Sequence, residues 1–215
     1  MLSEVNWFTS HLTDDKFGTV AGFVPNVFES YGRLLHPAYE SGELDHPVRW
    51  AEVSQWSGRK LERLSAFHSV AFPIGDPSTY RPWEIPPQQG SIDEHDLEEL
   101  IAVLRTHTST PDDCWVGVWN GFGNVWPLES HPVVHAPHRD YFLTRGSIET
   151  ALHLDQLYDR APDGPNIFWP NDHAWFVATD IDLAWTYVGG SKALIAALKG
   201  SPTIELLDAK PDLRL

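Results

Sequence analysis

The sequence predicts an α+β fold, a mixed or antiparallel sheet packed with several short helices in a single compact domain. Three observations predict it. Apolar runs of strand length, above all Cys114–Trp119 (CWVGVW), stand beside segments with helical spacing such as Leu97, Leu100, Ile101 and Leu104. The two kinds are interspersed without the regular alternation of a doubly wound sheet. The 215 residues allow a core that buries roughly 70% of the unfolded surface.

Taken in order, residues 1–22 read as a peripheral N-terminal segment. Val24, Phe28, Tyr31 and Leu35 follow helical spacing, with Pro25 in the first turn and Pro37 as the stop. A second helix is expected with Asp45 as N-cap, Pro47 in its first turn, and Trp50 and Val53 facing inward. Pro73, Pro77, Pro82, Pro86 and Pro87 make residues 72–90 a long loop, either a covering strap or a binding edge. Ser91 and Glu94 form a capping box for a helix that points Leu97, Leu100, Ile101 and Leu104 inward and Asp93, Glu94, Asp96, Glu98 and Glu99 toward solvent.

Cys114–Trp119 is a buried strand ending at the Asn120–Gly121 turn, and Tyr141–Leu143 is another strand. Ser147 caps a helix running to about Tyr158, followed by a loop over residues 161–165. Trp175, Val177, Thr179 and Ile181 alternate with Phe176, Ala178, Asp180 and Asp182, the pattern of a strand with an acidic face. Trp185–Val188 is extended, Gly189 and Gly190 break it, and Ser191 caps a last helix with Leu194, Ile195 and Leu198 inward.

Thirty acidic residues against fifteen basic ones give a net charge of −15. That charge repels nucleic-acid backbones and anionic membranes, and it suits a basic protein partner. A single cysteine, no signal-peptide pattern at the N-terminus and no run near the ~18 apolar residues of a membrane span lead to the expectation of a soluble, cytoplasmic protein. Ten tryptophans are expected mainly in the core.

Several constellations carry candidate chemistry. His131, His135 and His138 with Asp140 offer metal-ligand side-chain types, but Pro132 and Pro137 oppose one regular presenting element, so a histidine-bearing loop is expected and no metal. Asp180 and Asp182 share a strand face by period two and can serve as an acid/base pair. Trp175, Trp185 and Tyr187 frame them as an aromatic wall. Gly190, Ser191 and Lys192, following Gly189, form a helix start suited to an anion. His36, beside Arg33 and Tyr31, falls at the end of the first expected helix, and Cys114 reads as an inert core thiol. No nucleophile-elbow, zinc-protease, dinucleotide-binding or EF-hand motif is present. These readings lead to a non-catalytic module that binds a basic protein or a small ligand. The alternative is a hydrolase or transferase using His36 with Asp180 and Asp182. No cofactor is indicated.

FESYGRLLHPAY (residues 28–39), VRWAEV (48–53), HTSTPDDCWVGVWNGFG (107–123) and WPNDHAWFVATDIDLAWTYVGGS (169–191) resemble segments of a family of mostly actinobacterial proteins. The resemblance implies one continuous fold from residue 28 onward and carries no activity, cofactor or catalytic residue with it. In charge and mixture of elements the chain is also similar in kind to the SMI1/KNR4-like immunity fold, a similarity that implies a protein-binding role.

Overall fold

The computed structural model describes residues 7–12, 18–40, 46–76, 80–123, 126–160 and 162–214. The fold is α+β, organised on one eight-stranded antiparallel sheet. Its strands are β1 (Ser30–Leu35), β4 (Cys114–Trp119), β5 (Val133–His135), β6 (Asp140–Gly146), β7 (Ile167–Pro170), β8 (Phe176–Ala178), β9 (Trp185–Gly190) and β10 (Leu206–Ala209). They lie in the order β10-β1-β9-β8-β7-β4-β6-β5. A two-stranded pair, β2 (Ala38–Tyr39) and β3 (Pro47–Val48), stands beside it. Residues 7–10 are helical, and the helices that follow among the described residues are α1 (Trp50–Ser57), α2 (Phe67–Ala71), α3 (Glu94–Arg105) and α4 (Lys192–Gly200).

Period two along each strand gives the sheet two apolar faces, and each is covered differently. Leu34, Val116, Val118, Phe168, Val177 and Val188 pack with Leu97, Leu100, Ile101 and Leu104 of α3 and with Leu194, Ile195 and Leu198 of α4. Tyr31, Trp115, Tyr141, Trp169, Phe176 and Tyr187 of the opposite face pack with Phe8, Leu12, Val20, Phe23 and Val24. The N-terminal segment is therefore not peripheral where it is described: Phe8 and Val20 are 1% and 0% exposed. Full burial of such side chains stabilises by about 1.5 to 3 kcal/mol each.

The helix expected from Val24 to Leu35 is corrected to a strand. β1 pairs with β9 on one side and β10 on the other, so ladder hydrogen bonds from two neighbours override a spacing that only mimics a helical stripe. The second expected helix exists, but it begins at Trp50 with Arg49 as N-cap, and Glu52 supplies the returning half of a capping box. Pro47 lies in β3 opposite Tyr39, and Asp45 lies outside the described residues. Trp50 and Val53 are fully buried, as the spacing predicts. Among the described residues of 72–90 none is helical, and their strand-like contact is the bridge of Ile85 to Tyr39; residues 77–79 lie outside the described residues.

At α3 the cap is Asp93, whose carboxylate accepts from the His95 and Asp96 amides. Ser91 instead donates to the carbonyls of Ile92 and Asp163. The helix expected after Ser147 is two 3₁₀ segments, Ile148–Leu152 and Leu154–Gln156. The strand predicted over residues 175–182 is regular only at β8. Gly189 and Gly190 do not break β9 but lie inside it, because a Cβ would meet Phe28 Cδ2 at 2.4 Å and Leu194 Cδ2 at 2.6 Å respectively. Ser191 caps α4 as expected, accepting from the Leu194 amide at 3.1 Å.

Candidate functional site

A buried polar junction lies where β2, α1 and α3 meet. Arg49 holds Asp96 with two hydrogen bonds, Nη1 to Oδ2 at 2.7 Å and Nη2 to Oδ1 at 2.8 Å. Asp96 is 1% exposed, so the solvated outer face expected for it is corrected: the carboxylate points into the α1–α3 junction. Burial raises its pKa above the ordinary carboxylate value, and Arg49 offsets part of that rise. Tyr39 donates its hydroxyl to Asp93 Oδ2. Burial and then the Asp93 carboxylate raise the phenol pKa, so Tyr39 remains a donor throughout ordinary pH. Glu205 closes the junction from β10's approach, accepting from the Trp50 and Ala51 amides at 2.7 and 2.9 Å. That is the usual use of a carboxylate at a helix N-terminus.

Over this junction opens a cleft of about 540 Å³ lined by Tyr39, Arg49, Asp93, Glu94, Glu98 and Asp163, among others. A second cleft of about 450 Å³ shares Ile92, Glu94 and Asp163 with it. The second has an apolar floor of Leu97, Leu152, Leu154 and Pro162 and carries Asp155 on its rim. Glu94, Glu98, Asp155 and Asp163 are exposed. Among the described residues, no ion pair engages their carboxylates. Arg49 is spent on Asp96, so the double cleft presents net negative charge.

Of the candidates singled out in the sequence, His36 lies beside this junction, where its carbonyl accepts from Trp50 Nε1 at 2.7 Å, and the others lie outside the two clefts. His36 is 1% exposed. Its Nδ1 lies 2.8 Å from the Gln88 carbonyl and its Nε2 2.9 Å from Thr186 Oγ1. Burial lowers its pKa to about 4, so the ring is neutral. Asp180 and Asp182 sit on the turn before β9, both held by Arg139: Nε to Asp180 Oδ2 at 3.2 Å and Nη2 to Asp182 Oδ2 at 3.0 Å. Asp180 and Arg139 line a small cavity of about 20 Å³ with Tyr141 and Asn166, room for about one water molecule.

Trp175 is fully buried and donates to the Leu104 carbonyl at 3.1 Å on the helix-covered face. Trp185 and Tyr187 serve the opposite face, where Arg33 lies 3.8 Å over the Trp185 ring. Among the described residues Arg33 meets no carboxylate: it donates to the Arg63 and Ser65 carbonyls, both at 2.8 Å. Burial lowers its pKa to about 10. At Gly190, Ser191 and Lys192 the anion position is filled by the chain itself. Glu29 accepts from the Lys192 amide at 3.2 Å and pairs with its ammonium at 3.0 Å.

His131 contacts the Glu129 carbonyl and His135 pairs with Asp140, while His138 lines the small cavity beside Arg139. Among the described residues no group of three His, Cys, Asp or Glu side chains converges as a metal site. Cys114 is buried, with its thiol pKa pushed up to about 12 by burial. Likewise among the described residues, no helix is long and apolar enough to cross a membrane.

Arg49, Tyr39, Asp93 and Asp96 were not predicted as a site. One signal was readable: Asp96 stands four residues before Leu100, on the buried side of α3. Comparison with protein-family models, curated proteins and solved structures finds no match to the chain.

Proposed function

We propose that the protein is a non-catalytic binding module whose site is the acidic double cleft at the start of α3, and that it takes a cationic segment of a protein partner. The observation that carries this reading is the set of exposed carboxylates Glu94, Glu98, Asp155 and Asp163 around clefts of about 540 and 450 Å³ with no cationic partner among the described residues. Beneath them the Arg49–Asp96 and Tyr39–Asp93 contacts fix the walls, so little ordering is left to be done on binding. The catalytic alternative is less well supported, because His36 is neutral and enclosed while Asp180 and Asp182 both hold the single Arg139.

Calorimetric titration with a lysine-rich peptide tests the reading. Binding is expected to weaken several-fold between low and physiological salt, as screened charge contacts do. It is expected to fall at least about tenfold in the Glu94→Gln, Glu98→Gln, Asp163→Asn variant, a loss of roughly 1.4 kcal/mol. Unchanged affinity in that variant refutes the site.

A further inference from the structure

The lobe at the far end of α1 is the counterpart of the cleft. Phe72 and Ile74 are 66% and 65% exposed, and Leu64 is 59% exposed. Phe72 and Ile74 stand on an ordered loop: the Ile74 amide donates to the Ser57 carbonyl at 2.8 Å, and Arg59 Nε donates to the Phe72 carbonyl at 2.9 Å. Arg59, Lys60 and Arg63, on the segment that follows α1, are exposed. Among the described residues Arg59 and Arg63 have no carboxylate partner, and Lys60 meets only Glu62, at 3.3 Å with both side chains largely in water. A chain with only fifteen basic residues thus places three of them within five positions, and the first, Arg59, binds the loop that carries two solvent-facing apolar side chains. The double cleft is complementary in both respects, with an apolar floor at Leu97, Leu152, Leu154 and Pro162 and an acidic rim at Glu94, Asp155 and Asp163. α1 has eight residues, about 12 Å of helix, so its two ends present the two surfaces on separate parts of the molecule.

We infer that the partner which fills the cleft is a second copy of this chain, whose Phe72–Ile74 loop enters the apolar-floored cleft while Arg59 and Arg63 meet its acidic rim. This rests on the cleft being a site for cationic segments, as proposed above. The contact joins two different surfaces, so it is head-to-tail and extends into rings or open chains unless it is capped. The net charge of −15 on each copy opposes approach at long range, so the contact is weak at low concentration and depends on the local charge match.

The test is sedimentation velocity over a concentration series, with circular dichroism to confirm that each variant is folded. The wild-type mass is expected to rise with concentration. A knob variant (Phe72→Asp, Ile74→Asp) and a cleft variant (Glu94→Lys, Asp163→Lys) are each expected to remain monomeric. Their equimolar mixture is expected to form a capped two-chain species, because one intact knob and one intact cleft remain. Wild type that is monomeric at every concentration overturns the inference, as does association that persists in the single variants or a mixture that stays monomeric. Monomeric wild type that still binds the lysine-rich peptide removes this inference and leaves the proposed site standing; loss of both removes both. Monomeric wild type that floats with phosphatidylserine vesicles, and a knob variant that does not, overturns it in favour of a lipid surface.

Discussion

Arg49 and Arg139 each hold a buried aspartate, and their side chains are nearly equally covered, 18% and 19% exposed. Their contacts are not equivalent. Arg49 grips Asp96 at 2.7 and 2.8 Å and serves no other carboxylate, whereas Arg139 reaches Asp180 at 3.2 and 3.3 Å and shares itself with Asp182, which is 75% exposed. The first pair walls an open cleft and the second a cavity of about 20 Å³. The difference teaches that a conspicuous carboxylate pair in the sequence need not be available for chemistry. The carboxylates free to meet a ligand are those that no arginine reaches.

The largest expected effect is on the tighter clamp. Arg49→Ala leaves Asp96 buried without its counter-charge and is expected to lose about 3 to 5 kcal/mol of stability in a urea titration. An equal loss in Arg139→Ala breaks the comparison, since Asp180 keeps the Asp182 amide at 3.1 Å and Asp182 returns to water.

The next effect concerns His36, which lies beside the Arg49 junction. Its folded pKa is about 4 against an unfolded value near 6.5, so the unfolded chain takes up the proton first. Stability is therefore fully present above about pH 6.5 and falls as the pH drops toward 4, by about 3 kcal/mol in all. Asp96 and Glu205, whose carboxyls burial raises, act in the opposite direction. The difference between wild type and His36→Gln in stability-versus-pH curves isolates the imidazole, and parallel curves refute its role.

Smaller still, Tyr39→Phe removes the phenol that Asp93 accepts and is expected to lose about 1 kcal/mol in thermal unfolding. The smallest is Asp182→Ala, about 0 to 1 kcal/mol, because Asp182 is largely in water. A larger loss there places Arg139 and Asp182 on the same footing as Arg49 and Asp96.

Much of the fold was legible locally. The buried strand at Cys114–Trp119, the apolar stripes of α3 and α4, the cap at Ser191 and the irregular stretch over residues 80–90 follow from side-chain period, capping chemistry and proline content, all of which act over a few residues. β1 was not legible, since its strand state comes from pairing with residues 185–190 and 206–209. The glycines of β9 were misread for a related reason, because what excludes a side chain there is Phe28 and Leu194. The candidate site was the least legible: Arg49 and Asp96 stand 47 positions apart, and nothing local links them.

By itself the sequence determined the fold class, the surplus of negative charge, and which helix faces are apolar, because these depend on composition and on spacings within one element. Only the tertiary structure decided which charges are paired and which remain unpaired at the surface. It set Arg49 against Asp96, Arg139 against Asp180 and Glu29 against Lys192, and left Glu94, Glu98, Asp155 and Asp163 open around a cleft. Electrostatic pairing depends on distance in space and on the water excluded between groups, and neither is written along the chain.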